Sequence, residues 1–245
     1  MLTLGADDAL AVAVTGAIQS GNLDELRRLL AEHPELARAT ITWRDARGEQ
    51  SRSLLHIATD WPGHFPNAGE TVRLLITAGA DVNAPFAGAH SETPLHWAAS
   101  SDDVEVLDGL LVAGADLEAD GSVIDGGTAL ADAVACGQWR AARRLLECGA
   151  TANLWQAAAL GEIRRVQELV DASVRPAPEA ITNAFWCACH CGQRETAEYL
   201  LDQGADINRI GHDDLTPIDA AARSEANDLV EWLQARGAKP AAKLG

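Results

Sequence analysis

The sequence has no long apolar run, little positive charge and too few cysteines to build a scaffold, and each shortage excludes something. Its opening residues, Met1-Leu2-Thr3-Leu4-Gly5-Ala6-Asp7-Asp8, hold neither a basic segment nor a long apolar core, so no signal peptide or transmembrane segment is expected there. Five cysteines are an odd number. Three of them, Cys187, Cys189 and Cys191, fall within one predicted helix and not at disulfide spacings, which fits a reducing, cytoplasmic setting. Lysine and arginine together number 19 against 36 aspartates and glutamates, giving a net charge of −17 and a pI near 4.6. Phosphate backbones are bound by clustered basic residues, and the arginine pairs here sit on single helices. Neither a nucleic acid nor a membrane is therefore expected as partner. There is no phosphate loop, nucleophile motif or metal signature, so no cofactor is expected. Phenylalanine and tyrosine are also scarce, three and one against seven tryptophans.

What is present repeats itself. Glu92-Thr93-Pro94-Leu95-His96-Trp97-Ala98-Ala99 reads as a helix start, with Thr93 as cap and Pro94 in the first turn, where its missing N–H costs nothing. A second amphipathic run, Val104 to Leu111, ends before Gly114, a residue suited to a left-handed cap. Such a hairpin cannot bury its own apolar face and needs neighbours of its kind. The marker Gly-Ala-Asp returns at Gly79, Gly114 and Gly204, with variants at Gly149 and Gly237, in steps of 35, 35, 55 and 33. The motifs Thr93-Pro94-Leu95-His96-Trp97-Ala98, Ser53-Leu54-Leu55-His56-Ile57-Ala58, Leu215-Thr216-Pro217-Ile218-Asp219-Ala220-Ala221 and Gly79-Ala80-Asp81-Val82-Asn83-Ala84 resemble the ankyrin-repeat family, whose period is about 33 residues. The resemblance covers roughly residues 9 to 238.

It implies an all-α fold: a single ankyrin-repeat domain over 1-245, a solenoid of about seven helix-turn-helix units with short β-hairpin fingers. The units lie near 9-36, 53-84, 93-119, 128-153, 154-172, 181-208 and 216-238. The first has helices near Ala9 to Ser20 and Leu23 to Glu32. The connection 37 to 52 includes Thr40-Ile41-Thr42-Trp43, whose β-branched and aromatic content suits a short hairpin of unassigned role. Matching Gly79 to Gly114 shows five extra residues around Pro62 to Gly69, a loop between helices.

The resemblance places function on the concave surface, lined by finger tips and inner helices. Helical register then selects Ile57, Asp60 and Trp61; Trp97, Ser100 and Ser101; Asp132, Ala135 and Cys136; Gln156, Ala159 and Leu160; and Cys187, His190 and Cys191. His56 and His96 occupy the repeat's own histidine position, where the family uses the ring to bond neighbouring units. Trp155 and Trp186 replace that histidine and are read as core. Cys187, His190 and Cys191 converge on one helix face but lack a fourth ligand, so no metal site is assigned. The expected ligand- or partner-binding set is Asp60, Trp61, Phe65, Trp97, Ser100, Ser101, Asp132, Gln156 and His190.

Two functions remain open. In one, the chain is a monomeric binding protein whose groove grips another protein, the common role of ankyrin arrays. In the other, a small molecule occupies a Trp/Asp/His pocket, with His64, Asp60 or Asp132 moving a proton without a metal. The second carries a specific expectation: residues 60 to 68 form a lid beside Trp97, with His64 as its titratable group.

Overall fold

The computed structural model of the protein describes residues 2–124 and 126–244, so the two outermost residues of the expected 1-245 domain, and position 125, lie outside the described residues. The chain forms two compact bodies, residues 1–150 and 151–245. The N-terminal body holds β1 (Thr3–Gly5), α1 (Ala9–Ser20), α2 (Leu23–Glu32), β2 (Thr40–Asp45), β3 (Gly48–Ser53), α3 (Leu54–Ala58), α4 (Ala68–Thr77), α5 (Pro94–Ser100), α6 (Val104–Val112), α7 (Ala129–Ala135) and α8 (Trp139–Glu147). The C-terminal body holds α9 (Leu154–Leu160), α10 (Ile163–Val170), α11 (Pro178–His190), α12 (Arg194–Asp202), α13 (Pro217–Arg223) and α14 (Asn227–Ala235). No described helix is long and apolar enough to cross a membrane.

The helices begin and end where local chemistry dictates. Asp8 caps α1 by accepting from the Leu10 N–H at 2.8 Å, Asn22 caps α2 through Glu25 N at 3.1 Å, and Asp103 caps α6 through Val106 N at 3.3 Å. Pro94, Pro178 and Pro217 open α5, α11 and α13. Five second helices, α4, α6, α8, α12 and α14, close on a left-handed glycine: φ is +100° at Gly79, +92° at Gly114, +99° at Gly149, +94° at Gly204 and +85° at Gly237, whereas α2 and α10 end at His33 and Asp171. These are the residues whose spacing reveals the period, because only glycine reaches that conformation without a Cβ penalty.

Within each body, neighbouring pairs bury narrow apolar faces against one another. In the N-terminal body, Leu54, Leu55 and Ile57 of α3, Leu95, Ala98 and Ala99 of α5, and Leu130 and Ala133 of α7 form the inner layer. Val72 and Leu75 of α4, Val106, Leu107 and Leu110 of α6, and Leu145 of α8 form the outer one. Helix α5 packs on α7, and α4 on α6. In the C-terminal body α11 packs on both α9 and α13.

The fold is not purely helical, a correction to the all-α expectation. The hairpin foreseen from Thr40–Trp43 is there, β2 pairing antiparallel with β3 from Thr40↔Ser53 to Asp45↔Gly48. Residues Thr3–Gly5 then add in parallel, completing a three-stranded sheet of order β1-β2-β3. The driving contact is apolar, since Leu4 pairs with Ile41 and both are buried. The segment between α4 and α5 touches this sheet by a single bridge, Ser51↔Ala87.

One side-chain device recurs. Nδ1 of His56 accepts from Ser53 N at 3.3 Å, and its Nε2 lies 3.0 Å from the Glu92 carbonyl oxygen, just before the cap of α5. His96 accepts from Thr93 N at 3.1 Å and reaches the Gly127 oxygen at 3.2 Å, just before the cap of α7. Trp186 takes the histidine's outward duty, its indole N–H donating to the Leu215 carbonyl at 2.9 Å before the cap of α13. Where no bridge is made, the cap half survives alone: Gln156 accepts from Asn153 N at 2.9 Å, and Asp219 from Thr216 N at 3.2 Å. Gln156, not Trp155, thus fills the histidine position of its helix.

Leu95 is 1% exposed whereas Asp24, in the same body, has a side chain 98% exposed. Leu95→Ala should lower unfolding free energy by about 2–5 kcal/mol and Asp24→Ala by about 0.5 or less. Urea melts of both variants check this, and equal midpoints would contradict the packing.

Candidate functional site

The richest chemistry gathers where β2, β3, the 80–93 connection and the starts of α5 and α7 meet. Phe86 is the hub: its ring stacks on His90 at 4.2 Å between centroids and 5° between planes, and lies 5.7 Å from Trp97 and 5.9 Å from Trp43. His56 meets Trp97 edge-on at 4.9 Å. The Arg52 guanidinium lies over Trp43 at 5.4 Å and pairs with Asp60 at 2.5 Å.

Glu92 is the buried acid of this cluster. Its Oε2 accepts from the Trp97 indole N–H at 2.8 Å and lies 3.1 Å from His90 Nδ1, while its Oε1 accepts from the Val123 N–H at 3.0 Å. Asp132, 3% exposed, takes the place on α7 that Trp97 takes on α5. Its Oδ1 accepts from the Ser122 hydroxyl, and its Oδ2 has no partner. Burial pushes the Asp132 carboxyl up to about 7; the Ser122 hydrogen bond opposes this and the Glu92 charge adds to it. The exposed Cys136 nearby is raised by burial and then by the charges of Asp132 and Glu92. Burial holds His56 down at about 4 and lowers His96 as well, which fits rings that bridge as neutral imidazoles.

The residues selected from sequence are distributed as follows. Trp97, Asp132 and Asp60 lie in or beside this cluster. Ser100 and Ser101 donate their hydroxyls to the Trp97 carbonyl, both at 3.0 Å. Trp61 is 74% exposed, its N–H fixed by Asp60 Oδ1 at 3.0 Å, and Trp97 finds its ring partners in His56 and Phe86 instead. His64 is exposed; its N–H donates to Asp103 at 2.8 Å and its Nε2 lies 3.1 Å from the Ser101 oxygen. Asn67 reaches the Gly21 oxygen at 3.0 Å, and Phe65 is half-buried. Residues 60–68 are therefore tied to the turns that follow α1 and α5. The Trp97 ring leans to the other end of α5, toward Glu92, so the loop is not the expected lid over it. Ile57 and Gln156 are buried, Gln156 at 3% exposure in its helix cap.

In the C-terminal body His190 stacks on Trp186 at 5.1 Å, and His212 meets Trp186 edge-on at 5.2 Å. Burial, then the Arg223 charge, lowers His190. Burial raises Cys187 to about 12 and Cys191 to about 11. Among the described residues no group of three His, Cys, Asp or Glu is placed to hold a metal ion.

Sequence reasoning missed Glu92, Phe86, His90, Trp43 and Ser122. A signal existed for Glu92 alone: the residue before a cap threonine offers its carbonyl to the bridge, and here it also carries a charge.

The paired helices, left-handed closing glycines and bridging histidines define a repeat protein, and the comparisons agree. The family described as "Ankyrin repeats (3 copies)" matches residues 66–155 and 154–243, and the chain belongs to the ankyrin-repeat family. Ankyrin repeat and KH domain-containing protein mask-1 of Caenorhabditis elegans is 28% identical over 169 residues, 69% of this chain and 6% of that protein. The chain thus spans a small fraction of that curated relative. The human ASB11 ankyrin repeat domain superposes with a TM-score of 0.53 at 19% identity, covering 90% of this chain and 96% of that one, a likeness of fold.

The shifted groups set a pH test. Asp132, raised toward 7, contributes stability that is fully present below its unfolded pKa near 4 and is lost as pH rises to about 7. His56, depressed to about 4, contributes stability that is present above its unfolded value of 6.5 and is lost as pH falls. Between pH 5 and 7 the two slopes oppose, each about 2 kcal/mol. Asp132→Asn should remove one slope, leaving a variant that gains about 2 kcal/mol relative to the parent from pH 5 to 7. Denaturant melts at the two pH values measure it, and parallel pH profiles would contradict the burial effect.

Proposed function

We propose that the chain is a protein-interaction module, and that it engages its partner through the surface formed by Asp60, Trp61, Trp97, Ser100 and the rim above Asp132. Ankyrin repeats generally serve protein–protein interaction, and membership of that family is the general support. The observation that carries the reading here is Trp61. A 74% exposed indole stands on a loop whose backbone is pinned through Asp60, His64 and Asn67, so binding there need not order the loop. In this reading each helix pair is one repeat, seven in all within a single 1-245 domain, the concave groove is the binding side, and the chain acts as a cytoplasmic monomer. Phe65 contributes beside Trp61, while Gln156 serves the fold. His190, stacked on Trp186, is a separate candidate contact of the C-terminal body taken by itself.

A second reading, a small-molecule or acid/base site, is favoured by one observation: a carboxyl raised to about 7 with one oxygen unpartnered at Asp132. His64 is not joined to that group, since it bonds Ser101 and Asp103.

The two are separated by a pair of measurements. Affinity capture with the parent, Trp61→Ala and Trp97→Ala should yield a protein that, once purified, binds the parent in calorimetry and loses at least about tenfold affinity for each variant. A thermal-shift screen of metabolites tests the other, since a ligand at 100 times its dissociation constant stabilises by about 2.7 kcal/mol. A metabolite hit abolished by Asp132→Asn, with no purified protein binding the parent, would sink the interaction reading.

A further inference from the structure

Two carboxylates without an arginine or lysine partner stand out in the N-terminal body. Among the described residues no arginine or lysine pairs with Glu92 or Asp132; Glu92 accepts from the Trp97 indole and the Val123 N–H with His90 Nδ1 3.1 Å away, and Asp132 accepts from the Ser122 hydroxyl alone. Asp132 Oδ2 is unpartnered in a residue 3% exposed, and Glu92 is close enough for its charge to be felt there. Buried acids are otherwise paired or hydrogen-bonded throughout, so an orphaned oxygen marks a missing donor.

We infer that Glu92 and Asp132, with the ring of Trp97 beside them, form a seat for one cationic side chain of a bound peptide, an arginine guanidinium or a lysine ammonium. This deepens the interaction reading and rests on it. A cation supplies what the site lacks: several N–H donors for Asp132 Oδ2, a charge to offset two carboxylates, and a partner for the Trp97 ring. The protein fills the same combination once from within, where Arg52 sits over Trp43 and pairs with Asp60. Access is from the Cys136 side. Cys136 and Ala135 are exposed and Ser100 is half-buried, and Cys136 follows Asp132 by one helical turn on the same face at the end of α7. The net charge of −17 favours a basic segment over an acidic one on approach.

The test uses the full isotope-labelled chain and three capped pentapeptides, glycine throughout except for a central arginine, lysine or glutamine, with N-acetylarginine amide as a fourth probe. The Trp97 indole resonance, assigned with Trp97→Phe, is followed by NMR. The arginine and lysine peptides should shift it saturably, and the glutamine peptide should bind at least about tenfold more weakly. Binding by the parent should tighten as pH rises from 6 to 8 and Asp132 ionises, a readout that needs no variant. Asp132→Asn, nearly isosteric and checked by its melt, should weaken the arginine peptide about tenfold and abolish the pH dependence. Equal binding of the glutamine peptide, or undiminished binding by Asp132→Asn, would overturn the seat. Equal affinity for N-acetylarginine amide and the arginine peptide would overturn the peptide assignment in favour of a free cationic metabolite. If the peptides fail while a purified partner still binds and loses affinity with Trp97→Ala, the seat falls and the interaction module stands.

Discussion

The structure depends on a hydrogen bond that leaves a side chain on one helix and ends on the carbonyl just ahead of the next. His56 to Glu92, His96 to Gly127 and Trp186 to Leu215 are versions of it. Narrow apolar faces of alanine and leucine fix how near neighbouring pairs come but say little about how far one slides along the other. A ring bonded at both edges fixes the slide, because one nitrogen satisfies the cap of its own helix while the other finds a single carbonyl. Burial keeps the histidines neutral, and neutrality is what lets one ring both accept and donate.

Departures from the device fall where the neighbourhood differs. Ala131 stands in the histidine place of α7, and there the adjacent Asp132 bonds Ser122 instead. At Asp219 the carboxylate closes its own cap and also accepts from Ala241 N at 2.8 Å, so the segment after α14 folds back onto the start of α13.

Much of the fold was legible because it is periodic. The Gly21-Asn22 junction divides α1 from α2 at the expected residues, and Thr93-Pro94 with His96 three residues on fixes the start of α5. What was not legible is aperiodic. Thr3-Leu4-Gly5 carries no register, and its place beside Ile41 is set by tertiary packing. Within the site, register found Trp97 and Asp132, which are on helices, and missed Glu92, Phe86 and His90, which lie in a connection whose path only the folded chain determines. The 60–68 loop went to the wrong end of α5 for a related reason. An insertion's length shows that a loop exists, whereas its direction is set by bonds to Gly21, Ser101 and Asp103 that no spacing announces.

Glu92 offers its main-chain oxygen to His56 from the preceding pair, one carboxylate oxygen to Trp97 in its own, and the other to Val123 ahead of the next. Three successive repeats are thus stitched through one amino acid. Repeat proteins ordinarily diversify by changing surface positions one at a time while the stacking positions stay fixed. That separation narrows here: a substitution at this position keeps the main-chain bond to His56 but removes both carboxylate bonds together, so Trp97 and Val123 lose their acceptor in one step.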